Sequence, residues 1–314
     1  MGKPILKFYD DTGYEKEIDV LKASDSHFVS RKVTFPNPRQ VNITKQAGYE
    51  NYSIHRGVYL DTETTGVSHD DEVIQICLLP FLYAKEPDTD HSVIIGVYEP
   101  YIGFQEPTEP LTQEIVDLTG ITMDMLAGQS LDIEAIETIL EKTDFVIAHN
   151  AAFDRPFTHG ISSKFSEKKW ACSMSNVPWR ELGFESLKLT HLASDLGFFF
   201  EPHQADKDCL AGLAILAQVD GAGESYFQKM LNTAEKDSIT IRAEYAPFEA
   251  KDILKKRGYG WKDGSDGSTK GWETVVSIDK ADDEKEWLSS EVYNGNPKFS
   301  EKTENALTRF AVAS

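Results

Sequence analysis

The sequence predicts an α/β domain built on a mixed β-sheet flanked by helices, followed by a small α+β module. Three observations carry that reading. Strand-like apolar runs at residues 58–61, 73–79 and 93–98 follow one another along the chain. Helical and strand-like segments then alternate as far as residue 219. Beyond Asp220-Gly221-Ala222-Gly223 the pattern changes to a helix, a hairpin and a further helix. These shifts divide the chain into an N-terminal extension at 1–50, a main domain at 51–222 and a C-terminal module at 223–314.

Each element has a local reason. Residues 4–9 and 14–20 alternate around Asp10-Asp11-Thr12-Gly13, which predicts a hairpin, and the Pro- and Asn-containing 35–42 reads as a loop. The strand at 58–61 continues into Thr64-Thr65-Gly66, which ends it and turns the chain. The apolar stretch 73–81, broken by Gln75 and Pro80, is far too short to span a bilayer and reads as a buried strand. Helical periodicity follows near 112–118 and over 133–140, then a short strand at 145–148 and a helix from Ala151, with Asn150 as its N-cap. A strand near 170–173, a helix over 186–196 and a last helix from Ala205, apolar from Cys209 to Val219, complete the main domain. In the module, a helix at 248–257 is stopped by Gly258. Segments 259–261 and 272–278 pair around the glycine-rich 264–271, and a final helix at 282–293 turns Trp287 and Leu288 inward. Lys255-Lys256-Arg257 beside Tyr259 and Trp261 is a mixture suited to stacking on single-stranded bases. The more economical reading makes Tyr259, Trp261, Trp272 and Trp287 the module's core.

Three acidic segments stand out as candidates for chemistry. Asp61 and Glu63 lie two apart on a strand, so their carboxylates point to one face. Asp154 falls one turn into the helix capped by Asn150, where the helix dipole favours negative charge. His203 precedes the last helix and Asp206 and Asp208 lie in its first turns. Singly, each has a bland explanation: a solvated pair, a dipole complement, a loop histidine. The order Asp-x-Glu, then Asp, then His-x4-Asp is much harder to obtain by accident.

With those residues in place, the chain resembles the DnaQ-like 3′–5′ exonucleases of the DEDDh branch over residues 58–219, and is most similar to the proofreading (epsilon) subunits of bacterial DNA polymerase III. Asp61-Thr-Glu63-Thr-Thr-Gly, His149-Asn-Ala-Ala-Phe-Asp154 and His203-Gln-Ala-Asp-Lys-Asp208 resemble the family's three motifs, and Leu118-Thr119-Gly120-Ile121-Thr122 resembles the stretch before the second. The sister branch has a tyrosine four residues before the last aspartate, where this chain has Gln204. The resemblance implies an RNase H-like mixed sheet. It also implies catalytic residues Asp61, Glu63, Asp154, His203 and Asp208. In that scheme Asp61, Glu63 and Asp208 hold one divalent ion with its water, Asp61 and Asp154 hold a second, and His203 is the general base. Such a pair, about 4 Å apart, meets the needs of phosphodiester hydrolysis. Four carboxylates are hard oxygen ligands, so the expected ions are Mg2+ or Mn2+ and not zinc.

Composition narrows the partners. The net charge is −20, of which −18 falls in residues 51–222. Extended tracking along duplex DNA is therefore not expected, whereas capture of a short frayed 3′ end is compatible. The start Met1-Gly2-Lys3-Pro4 lacks a signal peptide's apolar core, and three scattered cysteines (Cys77, Cys172, Cys209) suggest a reducing cytoplasm. No membrane partner is expected. The reading is a 3′–5′ exonuclease acting on single-stranded or frayed DNA, with a polymerase or replication partner admitted. Trimming of RNA ends is the runner-up, and a non-catalytic docking scaffold is the rival from another class.

Overall fold

The computed structural model describes residues 31–32, 51–68, 70–264 and 268–311. The expected hairpin within 4–20 and the loop at 35–42 lie outside the described residues. In chain order the elements of the first part are β1 (Arg31–Lys32), β2 (Ser53–Thr64), β3 (Val73–Lys85), β4 (Ser92–Val97), β5 (Tyr101–Phe104), α1 (Gln113–Thr119), α2 (Met123–Leu126), α3 (Ile133–Glu141), β6 (Phe145–Ala148), α4 (Ala151–Thr158), β7 (Lys169–Cys172), α5 (Leu189–Asp195), β8 (Phe198–Phe199), α6 (Ala205–Leu216) and α7 (Tyr226–Ala234). Then come β9 (Ser238–Glu244), α8 (Lys251–Arg257), β10 (Gly260–Lys262), β11 (Gly271–Ser277), α9 (Ala281–Trp287) and β12 (Phe299–Glu304). Two compact units emerge: one runs to Asn232 and resumes at Phe310, and the other is Thr233–Arg309.

The first unit is the predicted mixed sheet flanked by helices. Its strand order is β4-β3-β2-β6-β7, with β5 pairing β3 further along. β2 is antiparallel to β3 and parallel to β6, and β6 is parallel to β7. All of β3 but its last residue is buried, because it has neighbours on both edges and packing on both faces; hence its nearly unbroken apolar run. The strand continues through Pro80 to Lys85, whereas the sequence suggested an end at residue 79. Pro80 is tolerated because it lies where the outer partner changes from β5, which pairs through Leu78, to β4, which pairs from Phe81.

The helices cover the sheet. Thr112 and Asp132 cap α1 and α3 by accepting from backbone N–H groups. Val58, Leu60, Ile76, Leu78, Val146, Ile136, Leu140 and Trp170 form one core cluster. Phe81, Tyr83 and Phe145 meet Phe227 of α7 at ring distances of 5.4–6.2 Å. This unit therefore extends past the Asp220–Gly223 turn to include α7. α6 lies on β2 and β3, where Cys209 Sγ approaches the carbonyls of Tyr59 and Cys77 at 3.6 and 3.9 Å. A Cβ at Gly212 would stand 2.1 Å from the Tyr59 hydroxyl, so only glycine permits this approach.

The second unit is an antiparallel sheet in the order β10-β11-β9-β12, with α8 and α9 packed on it around Ile241, Leu254, Tyr259, Trp272 and Leu288. Gly258 takes the left-handed conformation (φ +100°) that stops α8, and Trp261 pairs with Trp272 across the hairpin. The final helix is α9 followed by one π-helical turn, Leu288–Val292. Several elements were not foreseen: β5, α2, α7, β9, β12 and the short parallel pairing of β1 with β8. That last pairing places a short strand, Phe198–Phe199, a few residues before His203. Among the described residues no helix is long and apolar enough to cross a membrane.

Candidate active site

β2 outruns its parallel neighbour. Pairing with β6 ends at Tyr59, so Asp61 and Glu63 stand beyond the carboxyl end of β6, where the chain turns into α4. The crevice at the carboxyl ends of parallel strands is where α/β sheets expose functional groups. Glu63 is in register with Gln75 of β3, and Gln75 Oε1 accepts the N–H of Ala205, the first residue of α6, at 3.4 Å. The start of α6 is thereby fixed beside Glu63, and Asp208 one turn on faces the same point. Carboxylate oxygens of Asp61, Glu63 and Asp208 lie within 4.8 Å of one another.

Asp154 is 3% exposed and approaches from α4. Its Oδ1 accepts from both Thr62 N–H (3.1 Å) and Thr62 Oγ1–H (2.9 Å), so the residue between Asp61 and Glu63 carries the fourth carboxylate. Asp208 Oδ2 accepts the N–H of Gln204 at 3.1 Å, which closes the loop before α6 onto its first turn.

The electrostatics follow from four acids in one enclosed place. Burial pushes the Asp61 carboxyl well above the usual range, and Asp154, Asp208 and Glu63 push it further. Glu63 is raised to about 7 by burial and then by Asp208 and Asp154. Asp154 is raised to about 7 by burial, against the opposing hydrogen bonds from Thr62. Asp208 is raised to about 6 by burial, against the N–H groups of Gln204 and His203. Such a cluster takes up either protons or cations near neutral pH. Its all-oxygen donor set suits a hard divalent cation.

His203 is exposed and has a left-handed backbone (φ +62°), and among the described residues its ring makes no hydrogen bond. The carboxylates thus come together in the structure, while the histidine imidazole does not join them. Asp206 turns aside to Lys207 Nζ at 2.7 Å.

Other polar residues of the site were not singled out from sequence. Thr62 and Gln75 act through partners far away in the chain. His149, at the start of the second motif, is largely buried. Its Nε2 lies 2.8 Å from the Leu187 carbonyl and its Nδ1 3.0 Å from Ser173 Oγ. A carbonyl can only accept, so Nε2 carries the proton and Nδ1 accepts from the serine. Tyr59 Oη, 2.7 Å from Ser173 Oγ, then donates to it. Burial holds the His149 pKa down to about 4, so the ring is a neutral strut between β6, β2 and the segment before α5.

Comparison with known proteins adds an independent line. The family model RNase_T, described as exonuclease, matches residues 58–216. The chain is 28% identical over 180 residues to an uncharacterized exonuclease, CP81, of Escherichia phage 186, covering 51% of this chain and 85% of that protein. It is 36% identical over 106 residues to the PolC-type DNA polymerase III of Halalkalibacterium halodurans, covering 32% of this chain and only 6% of the polymerase. Among solved structures, the zinc-bound complex of E. coli exonuclease I with single-stranded DNA is similar at 16% identity and a TM-score of 0.47, covering 81% of this chain and 66% of that one.

Proposed function

The chain belongs to the RNase_T exonucleases, the DnaQ-like family, and on that premise we propose that it removes nucleoside monophosphates from the 3′ end of single-stranded or frayed DNA. The observation that carries this reading is the convergence of Asp61, Glu63 and Asp208 within 4.8 Å, with Asp154 tied to the residue between the first two. Two divalent ions, Mg2+ or Mn2+, held by these four residues would neutralise phosphoryl charge, activate water and stabilise the leaving 3′ oxygen.

The chain's own residues prepare that arrangement. Thr62 engages Asp154 through Oδ1 alone, which leaves Oδ2 for a cation. Gln204 engages Asp208 through Oδ2, beside a further backbone N–H from His203, so the loop before α6 orients this carboxylate. Asp61, flanked by the other three, is the ligand both ions would share. His203 is the proposed general base: it sits directly before α6 and would be drawn to the attacking water once substrate is present. The likeness to PolC-type polymerases supports DNA over RNA as the substrate.

The test is product analysis on matched 3′-labelled and 5′-labelled DNA and RNA oligonucleotides, with and without EDTA. Metal-dependent release of the 3′ label as a mononucleotide, with a 5′-labelled ladder shortening one nucleotide at a time, is the expected result. Release of the 5′ label first, or undiminished hydrolysis in EDTA, would overturn the proposal.

A further inference from the structure

The second unit carries an exposed aromatic pair that its own fold does not use. Tyr245 and Phe248, at 73% and 81% exposure, flank Ala246 and Pro247 in the turn between β9 and α8. Large aromatics are normally the part of a small module that is buried, as Tyr259 and Trp272 are here at 4% and 8%. A lysine accompanies each exposed ring: Lys298 Nζ lies 5.6 Å from the Tyr245 centroid and Lys251 Nζ 5.8 Å from that of Phe248.

The rings stand on a fixed backbone. Glu244 N–H donates to the Lys298 carbonyl at 2.9 Å, and the Glu244 carbonyl accepts from Tyr293 Oη at 2.6 Å. On the other side, Ala250 N–H donates to Pro247 O at 3.0 Å and Lys251 N–H to Phe248 O. Tyr245 itself has φ +52°, a left-handed conformation that a bulky side chain rarely adopts. Strain of that kind persists where the surrounding structure enforces it, and it clusters at binding sites. The sequence pointed instead to Lys255–Trp261, where Lys255, Lys256 and Trp261 are exposed, Trp261 at 55% and so outside the module's core, while two of the other side chains are committed. Arg257 pairs with Glu284 at 3.0 Å and lies over Trp287, and the Tyr259 hydroxyl donates to Glu284.

Two outward aromatic rings on a rigid turn, each with an ammonium group beside it, match the chemistry of single-stranded nucleic acid. Any base stacks on an aromatic face, and the lysines meet phosphates. The geometry points to the Tyr245–Phe248 turn, with Lys251 and Lys298, as a second binding site for the single strand that the active site degrades. This inference rests on the proposed exonuclease function. Because both units belong to one chain, a strand held on the turn stays tethered to the molecule that carries the active site. The benefit falls on strands long enough to occupy both sites.

The test uses the full chain. Tyr245→Asn removes one ring while placing at φ +52° a residue that tolerates it, and Phe248→Ser removes the other, so the double variant keeps its fold. KM and kcat are measured on a long single-stranded DNA and on a trinucleotide, and binding of a fluorescein-labelled oligothymidylate is followed by anisotropy in EDTA. The expected result is about a tenfold or greater rise in KM and in the anisotropy Kd for the long strand, with kcat and trinucleotide turnover unchanged. Lys251→Gln with Lys298→Gln should weaken long-strand binding and flatten its salt dependence, and Glu249→Gln should tighten it by removing a repelling charge. Unchanged long-strand binding in the ring variants overturns the proposal, as does a parallel loss on the trinucleotide. If those variants lose a co-purifying protein while oligonucleotide binding is unaffected, the turn is a protein-docking surface instead. Absence of hydrolysis by the wild type with intact, ring-dependent anisotropy would count against the proposed function alone.

Discussion

Asp61 is the group on which the other three acids press, and single-residue changes there and around it separate ligands from supports. Ala substitution of Asp61, Glu63, Asp154 or Asp208 should each lower kcat by orders of magnitude in steady-state assays, since each removes a proposed cation ligand. Asp206→Ala should be mild, because that carboxylate is turned to Lys207. Equal damage from Asp206→Ala would reassign the third motif. Thr62→Val removes one of the two donors to Asp154 and keeps the other, so a loss of about 1 kcal/mol in transition-state stabilisation is expected from kcat/KM. His203→Ala should slow turnover by roughly 10²–10⁴-fold while leaving divalent-ion binding, read by calorimetry, intact. The convergence of the four carboxylates was expected from the order of the three motifs and the family resemblance they carry, not from any one segment alone. Thr62, Gln75 and His149 were not, because their roles depend on Asp154, Ala205 and Leu187, distant partners that a linear pattern does not reveal.

The strand and helix that bring the acids together meet where the Tyr59 side chain packs against the bare backbone of Gly212. Gly212→Ala would force its Cβ against the Tyr59 hydroxyl, now 2.1 Å from where that atom would stand. The variant should lose about 1–3 kcal/mol in urea unfolding, typical of overpacking, and should also lose activity because α6 carries Asp208. Retained activity in a destabilised Gly212→Ala protein would show that Asp208 is placed independently of the α6–β2 contact. Buried elements such as the strand containing Val58 and the helix beginning at Ala205 were readable because their apolar pattern is strong. β9 and β12 were not foreseen, for different reasons: Ser238–Glu244 does carry the period-two pattern of a half-buried strand, with Ile239, Ile241 and Ala243 in the core, but no continuous apolar run, whereas Phe299–Glu304 is mostly exposed and shows neither. Pro80 hid the second half of β3, since a proline usually ends a central strand and here only the change of edge partner accommodates it.

Across the whole chain, the −20 charge and the raised acids tie stability to pH and metal. Glu63 and Asp154 at about 7 and Asp208 at about 6 lie above the reference carboxylate values near 4, so the folded metal-free protein holds protons that the unfolded chain releases. Their contribution is therefore full below about pH 4 and is lost as pH rises through about 6–7. Thermal melts in EDTA should show a falling Tm over that window, flattened in Asp61→Asn. Magnesium should reverse the fall above pH 7, adding about 2.7 kcal/mol at a hundredfold excess over Kd, and should do much less for Asp61→Asn. Equal gains in both proteins would indicate general screening of the acidic surface. A different consequence follows from Arg309, 3% exposed, whose guanidinium donates to the carbonyls of Ala234 (3.0 Å) and Lys236 (2.7 Å). The place where the chain leaves for the second unit and the place where it returns are clasped together, and the next residue, Phe310, packs into the core cluster of the first. The second unit is thus a cassette with a single splice point. Cutting out 233–309 and rejoining the ends calls for only a short linker, whereas truncation after residue 222 strips away both Phe227 and Phe310. Only the spliced protein is expected to be a folded, minimal nuclease.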